Sequence, residues 1–117
     1  MPETRLTRTF AALADPTRRA ILARLAEGDA SVAELAHPFG LRQPTISKHL
    51  RVLEEAGLIR CGKDGQRRPR GLVVGGPLEE IDRWLGPFRE QWERRLDALD
   101  AYLAKHPTTH PRKGDAP

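Results

Sequence analysis

The sequence predicts one mainly α-helical domain with a small β-hairpin, and three observations support this. Apolar residues recur at spacings of three and four through most of the chain, as in amphipathic helices. Between Ser31 and Gly57 a short helical stretch, a turn containing glycine and a longer helical stretch follow one another, which is the pattern of a helix-turn-helix. After Gly57 the period becomes that of an extended strand. A chain of 117 residues suffices for one such domain with a modest core.

The first two predicted helices are separated by Asp15 and Pro16. Apolar residues at positions 6, 10 and 13 indicate a short helix over residues 4–14. A residue before proline avoids helical backbone, so this helix should stop there. Asp15 can cap the next helix, with Pro16 at its first position, and that helix should cover residues 16–27.

The third and fourth helices form the predicted helix-turn-helix. Ser31 and Glu34 have the spacing of a capping box. In this motif the serine side chain accepts from the backbone N–H of the glutamate, and the glutamate side chain accepts from the backbone N–H of the serine. We expect a short helix over residues 32–37, ended by Pro38, and a longer helix from Gln43 to the Gly57 stop signal.

The longer helix has one apolar face and one face that suits DNA. Ile46, Leu50 and Leu53 share the first face, with Ala56. The opposite face offers hydroxyl, ammonium and guanidinium groups, and Gln43 adds an amide, which match the hydrogen-bonding groups of major-groove base edges and phosphates. The DNA-contacting residues predicted from this helix are Arg42, Gln43, Pro44, Thr45, Ser47, Lys48 and Arg51. The alternative is an ordinary solvated surface.

A short basic hairpin should follow this helix. We expect a strand over residues 58–61, a turn over 62–65 and a returning strand over 66–74, in which Pro69 and Gly71 allow only an edge position. The basic residues of this hairpin that we assign to the DNA backbone are Lys63, Arg67, Arg68 and Arg70. A basic hairpin beside a helix-turn-helix predicts a winged helix-turn-helix.

The last helix should start near Leu78 and mediate dimerisation. Its apolar positions follow a three-four stagger for almost four heptads, more than one small core needs. Gly86 and Pro87 should kink it or break it into two helices. We expect a homodimer formed by the N- and C-terminal helices through Leu6, Phe10, Leu85, Phe88, Trp92, Leu96, Leu99 and Leu103. The domain should cover residues 1–105, and the proline-rich polar tail 106–117 should be disordered.

The charge distribution supports a polyanionic partner. The net charge is +4, but residues 42–70 hold eight basic and three acidic residues, whereas residues 78–104 hold four and seven. Double-stranded DNA is therefore the expected partner. The single cysteine allows no internal disulfide, and no apolar run is long enough for a membrane span or an export signal, so we expect a cytoplasmic protein.

Some residues leave alternatives open. Arg18 and Arg19 could contact a phosphate or form intramolecular ion pairs, and His49 should be a satisfied interior or groove-edge residue rather than a ligand. Cys61 could sense oxidants or simply pack as a small apolar residue. Trp84 and Trp92 could line an effector pocket, although packing fits their positions better.

The motifs together resemble one family. They are Asp15-Pro-Thr-Arg-Arg19 with Ile21-Leu22, Val32-x-Glu-Leu-Ala36, Gln43-Pro-x-Ile-Ser47-x-His-Leu50, Leu53-x-x-Ala-Gly-Leu-Ile59 and Trp84-Leu-x-Pro-Phe-x-x-x-Trp92. Over residues 4–104 the chain is similar to the ArsR family of bacterial winged-helix transcriptional regulators, in its SdpR-like branch. The resemblance implies a homodimeric repressor that binds a promoter inverted repeat, with base-reading positions at Gln43, Pro44, Ser47 and Lys48.

Departures from the family pattern bear on effectors. Arg42 replaces the usual serine cap, and residues 32–38 lack the thiols that metal-sensing members carry on this helix. Other members bind zinc between their last helices through Asp and His, for which the candidates here would be Asp97, Asp100, His106 and His110. We expect no metal site and no cofactor, and the small-molecule or metal effector stays unknown.

The alternatives to this function are an enzyme, a protein-interaction module and a metal- or redox-responsive repressor. The sequence has no phosphate-binding glycine loop, nucleophile elbow or plausible carboxylate pair, so we expect no enzyme activity. A protein-interaction module that uses the long apolar helix without DNA is the first alternative. A metal- or redox-responsive repressor is the second.

Overall fold

The computed structural model describes residues 2–62 and 68–107, with side chains from Thr4 onward. Its elements in chain order are α1 (Pro2–Leu13), α2 (Pro16–Leu25), α3 (Val32–Phe39), α4 (Gln43–Glu55), β1 (Ile59–Cys61), β2 (Arg70–Leu72) and α5 (Pro77–Lys105). The chain forms two compact units, Met1–Arg83 and Trp84–Pro117. The predicted mainly α-helical fold with one small hairpin is confirmed.

The core of the first unit is built by α2, α3, α4 and β1. Ile21, Leu35 and Ile46 are fully buried, as are Leu50 and Leu53 on the predicted inner face of α4. Leu58 and Ile59 complete the cluster from the start of the hairpin. Ile46, Leu50 and Leu53 bury one face of α4, so the opposite face of this helix remains in water.

Local signals set most of the helix boundaries. Asp15 accepts a hydrogen bond from the backbone N–H of Arg18 at 3.0 Å and caps α2. Ser31 and Glu34 form both hydrogen bonds of the capping box, at 3.2 and 3.0 Å. Gly40 ends α3 with a φ of 62°, a left-handed conformation that glycine adopts without steric cost.

The prediction that Pro38 ends its helix is wrong, and so is the predicted break of the last helix at Pro87. Pro38 lies inside α3, which continues to Phe39, so Gly40 and not Pro38 ends that helix. Pro87 lies inside α5, which runs unbroken from Pro77 to Lys105. In each case the proline removes a single N–H donor, and the neighbouring turns keep their hydrogen bonds. A Cβ atom built at Gly86 would meet no other atom within 4 Å, so the space around this position does not require glycine.

The hairpin is shorter than predicted. Strands β1 and β2 pair antiparallel over three residues each, with Ile59 opposite Leu72 and Cys61 opposite Arg70. Residues 63–67 lie outside the described residues; they include Lys63 of the predicted turn and Arg67 of the predicted returning strand. A Cβ atom at Gly71 would lie 2.5–2.6 Å from the guanidinium of Arg60, the far end of a flexible side chain that can move aside.

Helix α5 is long, and its exposed surface is partly apolar. No helix within residues 2–62 and 68–107 combines the length and apolarity needed to cross a membrane. The residues from Trp84 to Lys105 are mostly exposed, including several large apolar side chains.

Candidate nucleic-acid interface

The outer face of α4 is exposed as the sequence predicts. Gln43, Pro44 and Thr45 open the helix toward solvent, and Arg42 precedes them, also exposed. Ser47, Lys48 and Arg51 line a shallow depression of about 250 Å³. We call these seven residues the reading face; they present an amide, two hydroxyls, an ammonium and two guanidinium groups together with Pro44.

Arg42 leaves the first turn of α4 without a side-chain cap. Its backbone is extended, with φ −74° and ψ 149°, but its side chain makes no capping hydrogen bond. The N–H groups of a helix's first turn have no intrahelical acceptors. They carry partial positive charge and favour an anion such as a phosphate.

A groove joins the reading face to the hairpin. It has a volume of about 610 Å³ and is lined by Ser31, Val32, Ala33, Glu34, Gln43, Ser47, Arg68 and Arg70. Arg68 is exposed beside this groove and has a φ of 37°. The structure therefore brings the hairpin's Arg68 to the same surface as Gln43 and Ser47, which are twenty or more positions away in the chain.

Arg70 has a different position from the one we predicted. Its side chain is only 15% exposed, and its Nε lies 3.0 Å from Oε1 of Glu54, in the last turns of α4. The two atoms form an ion pair without the angles of a hydrogen bond. The guanidinium also donates to the carbonyl of Arg68. We therefore remove Arg70 from the DNA-contacting set, because its charge is already paired with Glu54.

The backbone of Arg70 adds to this structural role. Its N–H donates to the carbonyl of Ala30 at 2.7 Å, and its carbonyl accepts from the N–H of Ala30 at 3.0 Å. Arg70 thus connects the hairpin to α4 through its side chain and to the loop before α3 through its backbone. The sequence contains no local signal for this contact, since Glu54 and Ala30 are distant along the chain.

Arg18 and Arg19 bind the end of α1. Arg19 donates to the carbonyl of Leu13 at 2.7 Å. Arg18 donates to the carbonyls of Ala12 at 2.6 Å and Ala11 at 3.2 Å. Cationic groups near the carboxyl end of a helix also interact favourably with its dipole. The sequence left open whether Arg18 and Arg19 contact a phosphate or form intramolecular ion pairs. Both side chains make intramolecular contacts, but their acceptors are carbonyl oxygens rather than acids.

Asp15 and His49 lie beside Arg18. The Nδ1 of His49 is 3.4 Å from Nη1 of Arg18 and 3.8 Å from Oδ2 of Asp15. The backbone N–H of Arg18 has the largest effect and lowers the pKa of Asp15. Burial is the second-largest effect and opposes it, whereas protonated His49, Arg18 and the backbone N–H of Thr17 lower the pKa further. His49 is half-buried, which agrees with its predicted place at the edge of the interior.

A row of large apolar side chains is exposed along α5. At 100° per residue these positions fall within about a third of the helix circumference. We call this row the apolar stripe; it consists of Trp84, Phe88, Trp92, Leu96, Leu99, Tyr102 and Leu103. Trp92 is 53% exposed and Leu96 60%. Trp84 and Phe88 contact each other with ring centroids 4.9 Å apart.

The remaining predicted interface residues are less exposed. Leu6 and Leu85 are half-buried, and Phe10 is exposed on α1. At the start of the predicted tail, the backbone N–H of His106 donates to the carbonyl of Tyr102. The rings of these two residues also contact each other, with centroids 4.5 Å apart. His110 lies outside the described residues.

Cys61 and the candidate metal ligands Asp97, Asp100 and His106 form no metal-binding cluster among the described residues. The thiol of Cys61 is half-buried in β1 and lies 3.5 Å from the carbonyl of Gly62. Within the part of the chain that the structure describes, no three His, Cys, Asp or Glu side chains are placed to hold a metal ion.

Comparison with known proteins extends these observations. Residues 13–62 match a family described as a helix-turn-helix domain. The HTH-type transcriptional regulator Rv2034 of Mycobacterium tuberculosis is 48% identical over 72 residues, which cover 57% of this chain and 67% of that protein. The transcriptional repressor SdpR of Bacillus subtilis is 39% identical over 61 residues, covering 52% and 68%.

A solved structure is similar over most of the fold. The crystal structure of an ArsR family transcriptional regulator superposes with a TM-score of 0.68 at 44% identity, covering 80% of this chain and 94% of that one. The chain has a helix-turn-helix formed by α3 and α4, with α4 exposed on one face, and a short hairpin follows it. Together with these similarities, this arrangement defines a winged helix-turn-helix transcriptional regulator. Its sequence and structure relatives show which kind: the chain belongs to the ArsR family.

Proposed function

We propose that this regulator is a repressor that binds, as a homodimer, an inverted repeat in double-stranded DNA overlapping a promoter. The observation that carries the proposal is the division of α4 into a buried face and an exposed reading face. The relatives add support, because one of them is named a transcriptional repressor. The interaction-module alternative is not favoured, since the relatives are named as transcription regulators.

The reading face supplies the specific contacts in this proposal. Gln43 can bond the N6 and N7 atoms of adenine, while Lys48 and Arg51 can donate to guanine O6 and N7. Ser47 lies between them and can donate or accept. These side chains are exposed and lie on one side of α4, so a helix lying in the major groove could bring them to base edges together.

Other groups contact the phosphates. The uncapped first turn of α4 and Arg42 are suited to one phosphate. On the hairpin we propose Lys63, Arg67 and Arg68 as backbone contacts. Such contacts release counterions and add affinity without sequence preference. A cytoplasmic location on the nucleoid follows from the proposed partner.

The apolar stripe is proposed as the centre of the dimer interface. Seven large apolar side chains exposed along one helix form a patch of the kind that marks protein-protein contact sites. Leu6 and Phe10 on α1 and Leu85 on α5 are proposed as further dimer contacts. A twofold axis would then present two α4 helices to adjacent major grooves about 34–36 Å apart.

Selection of duplexes from a randomised library tests this function. The purified chain is incubated with the library, and bound duplexes are recovered and sequenced over several rounds. The proposal predicts enrichment of one inverted repeat with a fixed half-site spacing. Arg94→Ala on α5 is the control variant, because it removes an exposed positive charge that is not part of the reading face, and it should enrich the same repeat. Enrichment of unrelated sequences, or of none, would contradict the proposal.

A further inference from the structure

One guanidinium group joins the end of α1 to the middle of α4. Arg18 donates from Nε to the carbonyl of Ala12 at 2.6 Å and from Nη2 to the carbonyl of Ala11 at 3.2 Å. Its Nη1 lies 3.4 Å from Nδ1 of His49. All three nitrogens of the group are therefore engaged, two with α1 and one with α4.

This joint is rigid for chemical reasons. A guanidinium is planar, so two bonds to α1 determine where its third nitrogen points. Arg18 has donors only, so Nδ1 of His49 accepts from it in the tautomer whose proton lies on Nε2. Asp15, whose Oδ2 is 3.8 Å from the same Nδ1, holds the backbone of Arg18 through the α2 cap.

The rest of α4 is held mainly by contacts that permit small rotations. Ile46, Leu50 and Leu53 are buried in the core, and apolar burial has no preferred direction. Arg42 provides no side-chain cap at the first turn. The ion pair of Glu54 with Arg70 holds the last turns of α4. The pair of Arg18 and His49 is thus a polar contact near the middle of this helix, where the packing is otherwise apolar.

Small rotations matter for base reading. Side chains at the helix surface lie about 5–6 Å from its axis, so a rotation of about 10° moves them by roughly 1 Å. The usual N···O distance of a hydrogen bond is about 2.9–3.0 Å, so a shift of this size weakens the bond strongly. Lys48, next to His49 in the sequence, would lose a base contact under such a rotation.

We propose that Arg18 and His49 are positioning residues that fix the rotational setting of α4 against α1 and thereby set the sequence selectivity of the regulator. The inference rests on the proposed function for its consequence in DNA reading. It has a structural consequence of its own, since the setting of α4 against α1 belongs to the free protein.

Four variants separate positioning from charge and bulk. His49→Leu removes the acceptor, and Arg18→Lys keeps the charge but cannot reach three acceptors in one plane. His49→Gln retains a side-chain acceptor and should behave as the wild type. Arg19→Lys is the matched control, because Arg19 also donates to the end of α1 but has no contact with α4 among the described residues.

The first readout needs no DNA. Spin labels at Thr7→Cys on α1 and Arg51→Cys on α4, in a Cys61→Ser background diluted with unlabelled protein, report one distance distribution by pulsed electron resonance. We expect a shifted or broader distribution in His49→Leu and Arg18→Lys, and the wild-type distribution in His49→Gln and Arg19→Lys. Wild-type distributions in both disrupting variants would overturn the proposal.

The second readout is discrimination between the selected duplex and one with a substituted base pair in each half-site, measured well below the melting temperature. We expect discrimination to fall about fivefold or more in His49→Leu and Arg18→Lys, as for a weakened base contact, with affinity for unrelated DNA little changed. Unchanged discrimination in both variants would overturn the selectivity role. A wild type without duplex preference would contradict the proposed function instead, and the distance measurement would still decide whether the joint positions α4.

Discussion

Arg70 of β2 and Glu54 of α4 lie 3.0 Å apart, and their partly buried ion pair connects the hairpin to the proposed recognition helix. Removing one member leaves the other charge in a site with little water, where an unpaired polar group is costly. The pair therefore belongs to the framework that holds the hairpin, while Arg68, two residues earlier, is exposed beside the reading face.

Arg70→Ala should destabilise the fold by about 1–3 kcal/mol, because Glu54 then loses its partner. It should leave the salt dependence of DNA binding unchanged, since Arg70 is not a proposed phosphate ligand. Urea unfolding and binding at several salt concentrations measure both effects. Arg68→Ala is the control: its stability should be nearly unchanged, and the salt dependence of its DNA binding should become flatter. A flatter salt dependence in Arg70→Ala would return this residue to the DNA-contacting set.

Arg67→Ala combined with Arg68→Ala should weaken binding to the selected duplex and to unrelated DNA alike. Each lost phosphate contact should reduce the slope of log K against log salt by about 0.9. Fluorescence anisotropy with both duplexes gives the two slopes. Weakening confined to the selected duplex would show that the hairpin reads bases.

Ser47→Ala combined with Lys48→Ala should relax sequence choice. Each lost base contact should reduce discrimination by about 1–3 kcal/mol, whereas affinity for unrelated DNA should fall much less. Competition between the selected duplex and single-base variants measures the change, position by position. If discrimination keeps its wild-type value, these two residues do not read bases.

Trp92→Ala should convert the dimer to monomers at micromolar concentration. Truncation removes a large exposed ring from the middle of the apolar stripe, and buried aromatic residues dominate the binding energy of many interfaces. Sedimentation velocity measures the mass. Glu93→Ala, one position away on another side of α5, should remain dimeric. A dimeric Trp92→Ala would place the interface elsewhere on the chain.

Asp15→Asn should alter the pH dependence of stability. The pKa of Asp15 is lowered by the backbone N–H of Arg18, so the folded state binds this proton less readily than the unfolded state. The resulting stability is fully present above the pKa of the unfolded chain and is lost as pH falls through the lower folded value. Asn still caps α2 but does not titrate.

Urea unfolding of both proteins between neutral pH and about pH 3 gives the difference, since the usual pKa of Asp is about 3.9. The wild type should lose its advantage over Asp15→Asn at the acidic end. A difference that does not change with pH would contradict the assignment of the lowered pKa to Asp15.

Local sequence signals account for most of the fold. The Ser31 and Glu34 capping box and the Asp15 cap act between residues three positions apart, so their spacing alone predicts them. The buried face of α4 follows from its period. The predicted helix end at Pro38 and the predicted break at Pro87 failed because a proline removes only one N–H donor, and both helices continue past it.

Local signals also predict the exposed face of α4, but they do not predict the contacts that hold the site together. The exposed residues from Gln43 to Arg51 follow from helix geometry. The pairing of Arg70 with Glu54, and of Arg18 with His49, depends on which elements meet in three dimensions. A basic residue in a sequence does not show whether its charge faces solvent or an acid of the same chain.

The central claim is that this chain binds double-stranded DNA in a sequence-preferring manner through exposed cationic groups. Titration of the selected duplex and of a scrambled duplex of equal composition, at salt concentrations from about 50 to 200 mM, tests it most directly, because phosphate contacts make affinity fall steeply over that range. The account predicts tighter binding to the selected duplex at every salt concentration and a steep loss of affinity with salt for both. Equal affinities, or binding that does not respond to salt, would contradict it.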